Sequence, residues 1–404
     1  MKARTVRLDT DVDLLAEAGD DGLLFETAEG GLAGRGVALR LPLPTGPGRL
    51  EAAADLVADA LGAIEVDDEV GLPGCGPVAF AALPFDDESP GDVIVPATVV
   101  GRAPDGTRWT TVLDDRFCEP RADAEAEADA GPSAFTVTST RPPEDWCRAV
   151  AEGRDLVAAG ELVKLVLARE VVIEADAPFR PTVVLAALRA AYPASYRFSI
   201  DGFVGATPEL LVQRTGDLVR SHPMAGTAPR RGDPSADARV AAALLASAKD
   251  QVEHRITIDA VLDCLLPFCS YVDAEAEPSI VAMANVQHLA SLVTGRLSAP
   301  PAGALVLAAA LHPTPAVGGS PRKEALAAIE RLEGLDRGRW AGPVGWVDAR
   351  GNGTFAVGIR SAQLDGRRAR LLAGVGVVAD SDPAAELAET RAKLQALLTA
   401  LVRP

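Results

Sequence analysis

The chain has 404 residues, 48% hydrophobic and 24% charged, values that suit a globular protein with a sizeable buried core. A formal net charge of −18 argues against a nucleic-acid partner, because that binding draws on attraction to phosphates. An anionic small molecule stays open, since a cluster of cations or a bound metal can invert the field inside one cleft.

Residues 1–120 read as a lobe of short strands and loops with one helix near Gly48–Leu61. The opening stretch MKARTVRLDTDVDLLAEAGD lacks the apolar run of a signal peptide, and stretches such as Ala302–Leu311 are too short to span a membrane. Residues 121–143, acidic and Ala-rich at Arg121–Pro132 and turn-rich at Thr138–Pro143, read as a linker or surface loop. From Glu144 the pattern tightens into a helix Glu144–Ala159, an apolar strand Lys164–Ile173, a helix Thr182–Ala191, and strands Tyr196–Phe203 and Leu210–Gln213. A long helix over Pro234–Leu266 follows, then Gln287–Arg296, a helix Pro321–Arg331, and strands Gly342–Asp348, Thr354–Gln363 and Arg368–Val378. The closing helix is Pro383–Leu401. Strands arrive in groups instead of alternating with helices, so the fold class is α+β. Five cysteines show no metal-type spacing, and Cys264 and Cys269, within one helical pattern, read as small core residues. Together these features predict a cytoplasmic protein.

Only five lysines (Lys2, Lys164, Lys249, Lys323, Lys393) stand among 39 basic residues. Under such a bias a lysine kept inside a motif suggests a task arginine cannot do, such as losing its proton. On the last helix Glu386, Glu389 and Lys393 are spaced i, i+3, i+7 and share a face. Two carboxylates one turn apart suit Mg²⁺, although this helix alone reads sooner as a solvated charged face with one Glu–Lys pair. In KDQVEH, Lys249 and Glu253 could be a plain i,i+4 surface pair. Lys164 stands at the mouth of an apolar strand, where a lysine either snorkels to the surface or has its pKa lowered by burial. Glu209 leads into a strand, where carboxylates are depleted. Gly374 and Gly376 fall on a strand, a mark of close backbone approach, without a dinucleotide-binding pattern. Arg360, placed within an apolar strand, wants a carboxylate partner.

Read in order, KLVLAR, GATPELL, PMAGTAPRRG, KDQVEH, QHLAS, LHPTPAVGG, GPVGW, GIRSA, AGVGVV and SDPAAELAETRAKL resemble the chorismate-utilising enzymes, from about Glu144 to Leu401. FETAEGGLAGRG and GPVAFAALPFD make the N-terminal third most similar to isochorismate synthases. The resemblance implies two packed antiparallel β-sheets with helices outside, the active site in the cleft between them, and residues 144–404 as the catalytic region. It implies Mg²⁺ held by Glu253 and Glu389, with Glu386 acting through water, and either glutamate of the last helix able to reach the metal. Lys164 matches the family's base and Glu209 its acid, for water addition at C2 of chorismate and loss of the C4 hydroxyl. Arg360 matches the arginine that grips the enolpyruvyl carboxylate, and Gly374, Gly376 and Lys393 fall near the ring carboxylate. Gly226, Thr227 and His288 match ring-pocket positions, and Trp346 falls where aminating relatives carry tyrosine. Ala316, where aminating members carry threonine, follows the isochorismate synthase pattern. Salicylate synthase, an aminating synthase dependent on a partner, and a catalytically silent binding subunit are the alternatives. A monomer is the state that the resemblance implies, and the product could feed siderophore, salicylate or menaquinone synthesis.

Overall fold

A computed structural model describes residues 1–114, 131–283 and 285–402. Its larger sheet has thirteen strands, and the chain's two halves are interleaved in it. From one edge it runs Phe135–Ser139, Lys164–Ala175, Arg368–Val377, Ser361–Asp365, Phe203–Thr207 and Tyr196–Ile200, and continues directly into Leu23–Glu26 and the N-terminal strands. Every pairing is antiparallel except that of Lys2–Arg7 with Glu65–Asp68. A nine-stranded sheet carries Leu210–Thr215, Gly353–Val357, Pro343–Asp348 and Val78–Ala82 at its centre. The two sheets meet through inward residues, Phe25, Phe198 and Phe203 of the first against Phe80, Val344 and Ala356 of the second. A third sheet, not anticipated from the sequence, joins Met224–Pro229, Val286–Ala290 and Ser279–Ala282.

Helices Pro143–Ala158, Pro181–Ala191 and Pro383–Val402 pack over the larger sheet, burying Trp146, Leu185, Leu394 and Leu397. No helix among the described residues is long and apolar enough to cross a membrane.

Several expected elements are differently divided. The long helix is two, Pro234–Ala246 and Ala248–Leu265, because the Ser247 hydroxyl accepts from the Asp250 amide at 3.3 Å and starts a fresh N-terminus. Cys269 opens a strand beyond the helix that holds Cys264, and both are half-buried at the core's margin. The stretch Tyr196–Phe203 is a hairpin turned at Asp201–Gly202, both residues at positive φ, 52° and 76°. Ala304–Leu311 is a helix that periodicity could not reveal, since it is apolar on every side and buried nearly throughout. Residues 115–130 of the expected linker region lie outside the described residues. The remainder is no linker, since Phe135–Ser139 is an edge strand paired with Val171–Ala175.

The division that matters most falls in Thr354–Gln363. Gly353–Val357 belongs to the nine-stranded sheet and Ser361–Asp365 to the larger one, so Arg360 lies in the link between sheets, at φ 52°, and not within a strand. The neighbouring chain makes the opposite crossing, from Phe203–Thr207 into Leu210–Thr215, and carries Glu209 in its link. The crossings lie side by side: Ala206 N–H donates to the Arg360 carbonyl at 3.1 Å and Val357 N–H to the Glu209 carbonyl at 3.0 Å.

Candidate active site

Beside this double crossing lies a cavity of 180 Å³. Strands Lys164–Ala175 and Arg368–Val377 contribute Lys164, Gly374 and Gly376 to its walls, and the three-stranded sheet contributes Gly226, Thr227 and His288. Glu253 reaches it from the Ala248–Leu265 helix, Glu386, Glu389 and Lys393 from the last helix, and Ala316 from the loop after His312. Thirteen of the fourteen residues to which the resemblance assigns a place in the site line it. The exception is Trp346, whose strand Pro343–Asp348 turns it toward the apolar cluster around Phe80 and Val344. Trp340 lines the cavity instead, its indole Nε1 buried without a hydrogen-bond partner among the described residues.

Three of the chain's five lysines, Lys164, Lys249 and Lys393, face this one space. The Lys164 side chain is 2% exposed, and its Nζ stands 2.8 Å from Glu253 Oε1. Burial works against ionisation of Glu253, yet Lys164 beside it holds the carboxyl below the usual range. Gly376 makes room for that pair, since a Cβ there would stand 3.0 Å from both Glu253 Oε1 and Lys164 Cε. Gly374 likewise clears space for Trp340, and its carbonyl accepts from Lys393 Nζ at 2.9 Å. Lys393 also pairs with Glu389 at 2.6 Å, the i,i+4 contact that helix spacing allows.

Glu209 is 3% exposed, and its Oε1 has no hydrogen-bond partner among the described residues. Burial pushes its carboxyl up to about 7, against the opposing pull of the Met224 amide, Lys164, Arg360 and Lys393. At neutral pH a substantial fraction of it therefore keeps its proton. Arg360 faces the same space and makes no ion pair within 4.0 Å among the described residues. A cation so placed calls for an anionic ligand. His288, pushed down to about 3 by burial and then by Arg360 and Lys393, is neutral, and its Nδ1 lies 3.0 Å from Thr227 Oγ1. His254, next to Glu253 in the chain, points away from the cavity to Ser291 Oγ at 2.9 Å.

The acidic side of the cavity offers oxygen donors only, the set a hard divalent cation prefers. Glu386 has no cation within 4.0 Å among the described residues, and burial, reinforced by Glu389, pushes its carboxyl up. Glu253 and Glu389 are each held by a lysine, and among the described residues no three such groups converge into a metal cage. The donors fit such an ion in kind, with Glu386 the group most in need of one. Lys249, Asp250 and Trp340 also line the cavity. The first two lie one turn before Glu253, a position helical spacing already suggested for Lys249. Trp340 had no comparable signal.

A buried lysine and a buried carboxyl beside an arginine without an ion pair among the described residues, with a carboxylate cluster where two segments of the chain exchange sheets, suit an enzyme of small anionic substrates. The chain belongs to the chorismate binding enzyme family, which it matches over residues 20–402. It is 36% identical over 381 residues to isochorismate synthase DhbC of Bacillus subtilis, covering 92% of this chain and 91% of that protein. To MenF of Mycobacterium tuberculosis it is 42% identical over 343 residues, covering 81% and 87%. The crystal structure of DhbC from Bacillus anthracis superposes with a TM-score of 0.80 at 32% identity, covering 96% of this chain and 98% of that one.

Proposed function

We infer that the protein is an isochorismate synthase, an isomerase that takes chorismate as substrate. Relatives named for this activity span most of the chain. The observation that carries the chemistry is the meeting of Lys164 and a largely desolvated Glu209 carboxyl in one cavity.

In the reading proposed here, Lys164 acts as the neutral amine, having given its own proton up beforehand, and takes a proton from water as the water oxygen bonds to C2 of the ring. The ring double bond shifts and the C4–oxygen bond breaks. Glu209 gives its proton to the departing hydroxyl, which leaves as water, so the net change is an isomerisation. A Glu209 carboxyl of about 7 leaves a substantial fraction of the acid form at neutral pH. Arg360 grips the enolpyruvyl carboxylate, while Gly226, Thr227, His288 and Ala316 line the ring. We further propose that Glu253, Glu386 and Glu389 hold Mg²⁺, which when bound would neutralise the ring carboxylate. Backbone amides at Gly374 and Gly376, with Lys393, assist at that end. A cytoplasmic monomer is the setting we propose.

The test is purified protein supplied with Mg²⁺ and chorismate. Isochorismate should form without pyruvate, and ammonium should change nothing. Pyruvate released together with salicylate would move the assignment to a salicylate synthase, and no turnover would favour a silent binding subunit.

A further inference from the structure

The strand that carries Lys164 has a gap along one edge. Gly319–Ser320 pairs with Leu165 and Lys164 at its start, and Phe135–Ser139 pairs only from Val171 onward. Between them the backbone groups of Val166 and Ala168 face no strand. Each is nevertheless satisfied, as buried backbone groups must be. Val166 N–H donates to the Gly318 carbonyl at 2.9 Å. The Val166 carbonyl accepts from Arg337 Nη2 at 2.9 Å, Ala168 N–H donates to Glu333 Oε1 at 2.6 Å, and the Ala168 carbonyl accepts from Trp146 Nε1 at 2.9 Å.

Glu333 and Arg337 thus stand where a strand would, and they are themselves an ion pair, 1% and 2% exposed. Arg337 Nε donates to Glu333 Oε2 at 2.9 Å, and Nη2 to Oε1. Its remaining Nη1 donates to the Val317 carbonyl at 2.8 Å, beside Ala316. The flat guanidinium lies 4.2 Å from the Phe85 ring centre and 5.1 Å from that of Trp340. Val166, Val317 and Trp340 are three separate parts of the cavity wall, and this one fork joins them.

We propose that Arg337 and Glu333 are positioning residues for the isochorismate synthase reaction, setting where the Lys164 strand stands relative to the loop carrying Ala316. This rests on the function inferred above. Neither side chain lines the cavity, so both act through Lys164, two residues from Val166, and through Val317. A planar fork is required, because a lysine could meet Glu333 or one carbonyl but not hold both carbonyls and both carboxylate oxygens at once. Arg360 and the last helix, which bind substrate on this reading, are anchored elsewhere. Loss of the fork should therefore act on kcat and spare KM.

The experiment compares wild-type protein, Arg337→Lys, and the double variant Glu333→Gln with Arg337→Met, which leaves no buried charge unpaired. Each is measured for melting temperature, kcat and KM for chorismate. Both variants should fold, with kcat lowered about 10- to 100-fold, the order of loss that a small misplacement of a catalytic group causes, and KM within about 3-fold. A folded variant with wild-type kcat would overturn the proposal. So would loss of activity only in proportion to the unfolded fraction, or failure of both variants to fold, since either would make the pair a stability element alone. Absence of turnover in the wild type would instead count against the isochorismate synthase reading.

Discussion

Replacing Glu209 by glutamine keeps the side chain's shape while removing its proton chemistry, and the structure assigns that change two separate magnitudes. The carboxyl is raised from 4.5 to about 7 in the folded protein by burial, whereas an unfolded chain returns it to the ordinary carboxylate range. The folded state therefore keeps a proton that the unfolded state has already released. The stability that wild type enjoys at low pH is fully present below the unfolded value and is lost as pH rises through about 7. A shift of this size corresponds to roughly 3 kcal/mol at the alkaline end. A glutamine side chain cannot ionise, so the Glu209→Gln variant escapes that loss. Urea unfolding of both proteins from about pH 5 to about pH 8 should show the difference in stability moving by roughly 2.5 kcal/mol in the variant's favour, the rest of the shift lying below pH 5. In the assay the same substitution should lower kcat about 10²- to 10⁴-fold, the usual share of a general acid. Wild-type kcat should fall as pH rises above about 7, where the acid form disappears. A stability difference that stays constant across that range would refute the buried-carboxyl argument, and near-normal kcat in the variant would remove Glu209 from the mechanism.

Lys164→Arg preserves the positive charge beside Glu253 but cannot serve as a base, so turnover should fall at least about 10²-fold while the melting temperature stays near wild type. Normal turnover would show that Lys164 is not the base. Gly376→Ala places a methyl group 3.0 Å from both members of the Lys164–Glu253 pair. Its kcat/KM should drop about 10- to 100-fold with little change in urea midpoint, and an unaffected kcat/KM would mean the pair need not sit where it does. Treatment with EDTA should abolish turnover, with recovery on adding Mg²⁺. Full activity in chelator would defeat the proposal for Glu253, Glu386 and Glu389.

The α+β class was legible because strands cluster along the chain. The site residues that line the cavity were legible from the ordered motifs that resemble the family, each signal being ambiguous alone, with the scarcity of lysine drawing attention to Lys164. The helical face of the last helix was also readable, since i,i+4 spacing alone predicts the Lys393–Glu389 contact. Local pattern could not show that Thr354–Gln363 leaves one sheet for another. Apolar residues fill both halves, and only the positive φ of Arg360 marks the crossing. An arginine in that conformation is strained unless its surroundings hold it, and the paired crossing at Ala206 and Glu209 does so. Trp346 misses the cavity for a related reason: which face of a strand meets the cavity depends on the sheet behind it, a fact absent from the short stretch around it. Glu333 and Arg337 passed unnoticed because an acid and a base four residues apart usually mark a helix surface. Here the helix ends at Glu333, Gly334 turns the chain at φ 62°, and the pair folds inward to fill the strand gap. Glu209 and Arg360 share the underlying cause, since both stand where sheet pairing is interrupted. Backbone and side-chain groups freed from a ladder at such a point can face a ligand, which is why Glu209 and Arg360 reach the cavity at the crossing, beside Lys164, Gly374 and Gly376 from the strands of the larger sheet.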